Sequence, residues 1–164
     1  MANASYVEAA KVAGVSTLGI TLGYGVETTA GEKPATFTGL DRINSIGGIT
    51  IETEQIDASA LFDQISRYIR GRGDTGGTWT VTVNFTEETK TQWDGVLSAF
   101  AALTNGLRMW FEVVIPGFTD AFFVVAQPPT AIPMPEMGQN ELLTVEMSLT
   151  VEEYKGMDTA VDFT

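Results

Sequence analysis

Residues 68–79, with the sequence YIRGRGDTGGTW, contain three short motifs that could each do chemistry. Residues 74–76 match the Asp-Thr-Gly triplet of the aspartic proteases, in which two carboxylates share one proton. Residues 71–76 match the GxGxxG fingerprint, in which the N-terminus of a helix holds phosphate groups. Residues 72–74 spell the Arg-Gly-Asp adhesion tripeptide. Each motif acts only in a particular structural context, so the elements on either side decide between them.

The surrounding sequence argues against all three motifs. A phosphate-binding fingerprint needs a strand before it and a helix after it, whereas here a helical pattern precedes and a strand follows. The chain carries a single Asp-Thr-Gly triplet, so a protease that uses Asp74 would have to be a homodimer. The simplest interpretation is a glycine-rich turn in which Asp74 hydrogen-bonds to nearby backbone amides. Positive φ angles would be available at four residues, Gly71, Gly73, Gly76 and Gly77.

Composition bounds the remaining possibilities. The length of 164 residues predicts one domain, residues 1–164, with a sizeable core. The chain contains no histidine and no cysteine, which excludes disulfides, thiolate metal sites and Ser-His or Cys-His nucleophiles. We therefore expect no metal and no cofactor. The net charge of −12, from 21 acidic against 9 basic side chains, argues against a protein that grips nucleic acid through phosphate contacts.

The distribution of apolar residues indicates no membrane association. No apolar run approaches the roughly 20 residues that a membrane-spanning helix needs. The first residues, MANASYVEAAKVAG, lack the basic region and apolar stretch of a secretory signal, so we do not expect one.

Most of the apolar patterning has a period of two, which predicts strands with one buried face. Residues 78–85 place four side chains on such a face: Trp79, Val81, Val83 and Phe85. Residues 145–151 repeat the pattern with Val145, Met147, Leu149 and Val151. Residues 49–54 alternate in the same way, with Ile49 and Ile51 opposite Glu52 and Glu54. Residues 108–116 and 121–127 predict two further strands that are closer to fully buried, and residues 15–22 are another candidate.

One segment predicts a helix. Thr86 is a plausible N-cap, and Glu87 and Glu88 then lie in the first turn, where the helix dipole favours anions. The core-facing stripe consists of Trp93, Val96, Leu97, Phe100 and Leu103. Asn105-Gly106 ends the helix in a common way.

Residues 57–77 form an unusually long connection between predicted strands. Five apolar residues fit helical spacing: Leu61, Phe62, Ile65, Tyr68 and Ile69. We therefore predict a short helix or a few helical turns, capped by Asp57 and stopped by Gly71, and then a tight glycine turn. The apolar residues either cover one end of the core or contact a neighbouring subunit. The proline-rich residues 127–140 predict a stiff connection between strands.

Residues 47–89 resemble the central signature of bacteriophage tail tube proteins, the major tail proteins of long-tailed phages, which are related to type VI secretion tubes. The matching parts are an alternating strand at 49–54, an Asp-Ala-Ser-Ala-Leu element at 57–61 and the strand 78–85. The turn between them is Tyr68-Ile69 followed by Gly71, Asp74 and Gly76. The order of elements that follows also agrees, so the resemblance spans about residues 40 to 155.

The resemblance implies an α+β, mostly β fold: an antiparallel β-sandwich or half-barrel with one flanking helix and a long inter-strand loop at 57–77. It implies that six copies close into a ring and that rings stack into a hollow tail tube through which DNA is ejected. It also implies a non-enzymatic virion protein, assembled in the host cytoplasm, with tail terminator, tape-measure and distal tail proteins as further partners. No residue is then catalytic.

The family role assigns expectations to particular residues. Ring-to-ring contacts fall to the apolar loop residues and to Asp74, and residues 1–14 form an N-terminal arm that orders on assembly. The acidic excess suits a bore that DNA passes without tight binding, because like charges repel. The candidates for facing that bore are Glu52, Glu54 and Glu146, and an ordinary solvated strand face is the alternative for them.

Two other classes of protein stay open on the sequence. A small-ligand carrier built on a β-barrel would need an apolar cavity and an even run of hairpins. A dimeric aspartic protease would need Asp74 in a shared catalytic site.

Overall fold

A computed structural model describes residues 16–164 of the chain. The predicted N-terminal arm at 1–14 lies outside the described residues. In the described part, nine strands and one helix follow one another in the order β1 (Thr21–Val26), β2 (Thr38–Leu40), β3 (Ile43–Ile46), β4 (Glu52–Asp57), β5 (Tyr68–Asp74), β6 (Thr78–Asn84), α1 (Glu87–Ala101), β7 (Met109–Val114), β8 (Asp120–Gln127) and β9 (Thr144–Thr159).

Seven strands form one open antiparallel sheet with the order β2-β1-β7-β8-β9-β6-β3. The long strand β9 joins its two halves. Its first part pairs with β6, where Thr144 lies opposite Asn84 and Thr150 opposite Thr78. Its second part pairs with β8, from Thr150 opposite Gln127 to Thr159 opposite Asp120. The remaining strands, β4 and β5, pair with each other in a separate hairpin.

The large sheet is strongly curved. Trp79 on β6 and Phe111 on β7 are three strands apart, which would separate them by about 14 Å in a flat sheet. Their ring centroids are instead 5.8 Å apart, in an edge-to-face arrangement. The inner face therefore folds over on itself and encloses the main core. This is the half-barrel form of the predicted α+β, mostly β fold.

The helix closes the concave side of the half-barrel. The side chain of Thr86 accepts a hydrogen bond from the Thr89 backbone N–H, and the side chain of Thr89 accepts one from the Thr86 backbone N–H, so the helix begins where the sequence predicts. Trp93 and Val96 are fully buried in the main core, and Gln92 bonds to Asp41 beside β2. The alternating faces of β6 and β9 are also confirmed, because Val81, Val83, Val145, Met147 and Leu149 are all buried.

A second, smaller core covers the outer face of β7 and β8. It contains Phe37, Trp110, Ala121, Phe123 and Val125, and the C-terminal residues Ala160, Val161 and Phe163 pack against it. Phe163 forms an isolated parallel bridge with Phe37, and the Thr164 N–H donates to the Phe37 carbonyl at 2.9 Å. A side chain at Gly23 would overlap the ring of Phe163, so the glycine makes room for it.

Three predictions about local structure are wrong. The segment predicted as helical turns, residues 57–71, instead contains the end of β4, a loop and the start of β5. Residues 49–54 do not form one strand with a buried face, because β4 begins at Glu52 and all its residues are exposed, while Ile49 lies before it and is partly buried against the main core. The first strand occupies Thr21–Val26 and not residues 15–22.

Candidate assembly surface

The β4–β5 hairpin stands apart from both cores. In its register Ile56 lies opposite Ile69, Asp57 opposite Tyr68 and Glu52 opposite Asp74. The turn connecting the strands begins at Asp57, whose carboxylate accepts a hydrogen bond from the Ser59 N–H at 2.9 Å. None of the hairpin's large apolar side chains belongs to a core cluster of the described residues. Two strands without a packed face are only marginally stable in water, so this element needs a partner.

The apolar residues that the sequence singled out lie together on this hairpin and are exposed. Leu61, Phe62 and Ile65 in the connecting loop are 104%, 98% and 81% exposed. Tyr68 and Ile69 on β5 are 58% and 56% exposed. Contiguous exposed apolar surface of this kind marks an interaction site more often than a solvated loop. The alternative in which these residues cover the domain core is therefore wrong.

Asp74 lies at the end of the hairpin and bonds to the backbone of a glycine turn, as the sequence predicted. Its carboxylate accepts a hydrogen bond from the Gly76 N–H at 2.9 Å, and Gly76 and Gly77 have φ angles of 81° and 76°. Gly71 and Gly73, by contrast, lie within β5 and have no positive φ, so that part of the prediction is wrong. A Cβ at Gly73 would lie 2.9 Å from Ile51, which shows that close approach is the reason for glycine there.

The hairpin also carries a charge pattern. Arg67, which precedes β5, pairs with Asp63 at 3.3 Å, and the Asp63 carboxylate also accepts the Ala60 N–H. Arg70 and Arg72 on β5 have no ion-pair partner among residues 16–164. Two unpaired cations on an exposed element are notable in a chain with a net charge of −12.

The three carboxylates proposed for the bore lie in two places. Glu52 and Glu54 are exposed on β4, at the base of the hairpin. Glu146 is exposed on the outer face of β9. Its neighbours on that face are polar residues of β6 and β9, namely Thr78, Thr80, Thr82, Asn84, Ser148 and Thr150. This hydroxyl-rich strip contrasts with the apolar outer face of β7 and β8.

A buried polar network fastens the β1 end of the sheet. The Glu27 carboxylate is almost fully buried and accepts hydrogen bonds from the Trp110 Nε1–H at 2.7 Å and from the Gly31 N–H at 3.0 Å. It also accepts from the backbone N–H and the Nε–H of Arg108, both at 3.2 Å. Burial by itself raises the pKa of Glu27, but these donors outweigh it and the pKa lies below its usual value. The carboxylate is therefore held in its charged form.

Glu112, under the C-terminal segment, is in the opposite situation. Its Oε1 accepts the Val161 N–H at 2.7 Å, while Oε2 is buried without a hydrogen-bond partner among residues 16–164. Burial raises the pKa of Glu112, and the Val161 N–H and the charge of Lys33 only partly oppose this. No pattern in the sequence marks either buried carboxylate, because Glu27 directly follows an ordinary strand and Glu112 lies within one.

The described part of the chain offers little of what an enzyme or a small-molecule carrier would need. Asp74 is exposed and engaged in its own turn, and within residues 16–164 no group of His, Cys, Asp or Glu side chains could hold a metal ion. An apolar groove of about 270 Å³ lies at one mouth of the half-barrel and includes Ile46, Ile49, Trp79, Phe122 and Tyr154 in its lining. In the same residues, no helix combines the length and apolar character required to cross a bilayer.

Known proteins resemble this chain in structure and not in sequence. No protein-family model matches it, and no curated protein sequence matches it. One similar solved structure is a chain from the tail of an empty GTA particle, determined by helical refinement with C6 symmetry. It has a TM-score of 0.55 at 13% identity and covers 89% of this chain and 98% of the other.

A second similar structure is the anti-feeding prophage cap, which terminates the AFP tube. It has a TM-score of 0.55 at 12% identity and covers 89% of this chain and 91% of the other. At such low identity the likeness concerns the fold, and it extends over nearly the whole of each chain. The protein therefore has a tail-tube-like fold, as the resemblance of residues 47–89 predicted.

Proposed function

We propose that the protein is a non-enzymatic structural protein of a phage-type virion, and that copies of it assemble into the hollow tail tube. The exposed β4–β5 hairpin carries this proposal, because it presents Leu61, Phe62 and Ile65 to solvent with no partner among residues 16–164. Burying three such side chains could contribute of the order of 5–9 kcal/mol before the costs of association. The hairpin thus supplies the contact between successive rings.

Ring closure would use the other unsatisfied feature, the open sheet. Its two edge strands, β2 and β3, leave backbone groups unpaired on their outer sides. Such edges are templates for pairing with another chain. A repeated head-to-tail contact that closes gives a ring. We take six as the number of copies, since the structurally similar GTA tail has C6 symmetry.

The bore would be lined by the outer strip of β6 and β9. Its hydroxyl side chains and Glu146 offer no positive charge to phosphates. DNA would then pass without tight binding, because a surface of like charge does not hold it. Glu52 and Glu54 would face the bore from the base of the hairpin. Tail terminator, tape-measure and distal tail proteins would contact the ends and the interior of the tube, which would be assembled in the host cytoplasm.

The test is assembly of the purified protein. We expect negative-stain images to show rings or tubes, and sedimentation to show large particles. Replacing Leu61→Asp together with Ile65→Asp should abolish stacking, because two carboxylates would have to be buried without partners. The melting temperature should be unchanged, because both side chains lie outside the cores.

Two outcomes would contradict the proposal. Wild-type protein that stays monomeric at every concentration would refute self-assembly. Unfolding of the double variant would show that the hairpin belongs to the domain core.

A carrier of small apolar molecules is the second candidate, and the groove at the mouth of the half-barrel favours it. Its volume of about 270 Å³ is just below the range of typical ligand sites. Saturable binding of a fluorescent fatty acid by the monomer, lost in Phe122→Asp, would support this function over assembly.

A further inference from the structure

We propose that the hairpin of one copy docks on the opposite end of a second copy, at a surface formed by Met137, Leu142 and Leu143 with Glu88 and Glu141, here called the receiving end. The inference rests on the proposed function and names the surface that its hairpin contacts. It commits to a second copy of this chain as the occupant.

The fold places the two surfaces at opposite ends of one strand pair. The hairpin leads through Gly76 and Gly77 into the first residue of β6, Thr78. Beyond the last residue of β6, the Phe85 N–H donates to the Leu143 carbonyl at 2.9 Å. Seven residues of strand separate these ends by about 20 Å. A contact between them is head-to-tail, and a head-to-tail contact whose rotation does not close into a ring propagates as a filament.

The receiving end exposes more apolar surface than a connection between strands requires. Met137, Leu142 and Leu143 are 63%, 68% and 38% exposed. Pro133 and Pro135 precede this patch and stiffen its backbone, which lowers the entropy lost when a partner binds. The apolar hairpin loop and this apolar patch would each remove the other from water.

Carboxylates border the patch. A Cβ at Gly138 would lie 2.6 Å from an oxygen of Glu141, so this carboxylate lies beside the backbone next to Met137. Glu87 and Glu88 are exposed in the first turn of α1, whose N-cap Thr86 follows Phe85.

The cations nearby do not cancel this charge. Lys90 is paired with Asp94 at 3.7 Å, and Arg42, which has no ion-pair partner among the described residues, is one cation against Glu87, Glu88 and Glu141. The receiving end is therefore acidic on balance.

The hairpin offers the complementary charge. Arg70 and Arg72 have no ion-pair partner among the described residues. The hairpin's carboxylates stay charged even where their own loops bond them, as at Asp57, Asp63 and Asp74, and Glu52 and Glu54 lie at its base, so the positive charge is local to Arg70 and Arg72 on β5. Opposite charges at the rim of an apolar contact fix its orientation and speed association.

Disulfide trapping tests the contact directly, because the chain has no cysteine of its own. We expect Leu61→Cys and Leu142→Cys proteins, mixed and oxidised, to give a covalent dimer that contains one copy of each. The control is Phe118→Cys, a substitution of another exposed apolar residue at the β7–β8 turn. Leu61→Cys should not link to it. Tubes that form without a 61–142 link, or that link 61 to 118 equally well, would overturn the inference.

Charge reversal provides an independent test. Arg70→Glu with Arg72→Glu, or Glu88→Arg with Glu141→Arg, should each raise the concentration needed for assembly about tenfold, as expected for like charges at an interface rim. Combining all four changes in one chain should restore assembly, whereas a merely structural role would make the combined variant worse. Wild-type protein that forms no tubes would refute the proposed function itself. Tubes that tolerate the Glu88 and Glu141 reversal would refute only the receiving end.

Discussion

The outer face of β7 and β8 and the β4–β5 hairpin both carry apolar surface, but they differ in what covers it. Both are antiparallel strand pairs that carry large apolar side chains on a surface outside the main core. On β7 and β8 the chain's own C-terminal residues cover that surface, and Trp110, Phe123 and Val125 are buried. On the hairpin nothing in the described chain covers Leu61, Phe62 and Ile65.

The difference separates two kinds of stabilisation. The covered face is completed within one chain, where Glu27 accepts four hydrogen bonds and only one oxygen of Glu112 accepts one among the described residues. The hairpin's polar groups face water, and its apolar groups are free for another copy. Changes at the covered face should therefore alter the free energy of unfolding, and changes at the hairpin should alter assembly.

The largest effect is expected for Glu27→Ala. The substitution leaves the Trp110 Nε1–H, the Gly31 N–H and the Arg108 Nε–H without their acceptor, which should lower the free energy of unfolding by about 3–5 kcal/mol. The matched control is Glu153→Ala, which removes the exposed partner of the same arginine and should cost less than about 1 kcal/mol. Urea denaturation of both variants measures the difference, and equal losses would show that burial of Glu27 is not what matters.

A smaller effect is expected for Phe163→Ala. The ring fills the space above Gly23 and Gly39 but is only partly buried, so we expect a loss of about 2 kcal/mol, below the value for a fully buried phenylalanine. Asp162→Ala, at the exposed neighbouring position, should change stability by less than about 0.5 kcal/mol. Thermal unfolding distinguishes the two. If Phe163→Ala leaves the stability unchanged, the C-terminal segment does not stabilise the fold by covering β7 and β8.

The smallest effect should be a pH dependence that Glu112 introduces. Its pKa is raised in the folded protein, so folding favours the protonated carboxyl, and the stability that it contributes is lost as pH rises through the folded pKa. Glu112→Gln should remove this loss, so that the variant gains on the wild type as the pH is raised above the ordinary glutamate pKa of about 4.3. Melting temperatures over this range provide the measurement. A difference that is constant with pH would show that Glu112 does not titrate there.

The elements whose apolar residues recur at regular spacing were predictable from the sequence, and the hairpin was not. Strand β6, the first half of β9 and helix α1 each bury one face, so alternation and capping residues were sufficient to find them. The hairpin failed because its apolar residues satisfy no core. Leu61, Ile65 and Ile69 are spaced four residues apart, which happens to match a helix, although they lie on a loop and a strand. Apolar residues that serve contacts between copies need not recur with the period of a helix or of a strand.

The sequence by itself determined the composition-level and local features of this protein. These are the absence of histidine and cysteine, the net charge, the glycine turn after Asp74 and the two-period core strands. Only the tertiary structure decided which exposed and buried groups meet. It set Glu27 against Trp110, 83 residues away in the chain, and the C-terminal Phe163 over Gly23. It also put the hairpin and Leu143 at opposite ends of one strand pair. Local patterns record which way a side chain faces, whereas the distance between remote residues depends on how the sheet curves.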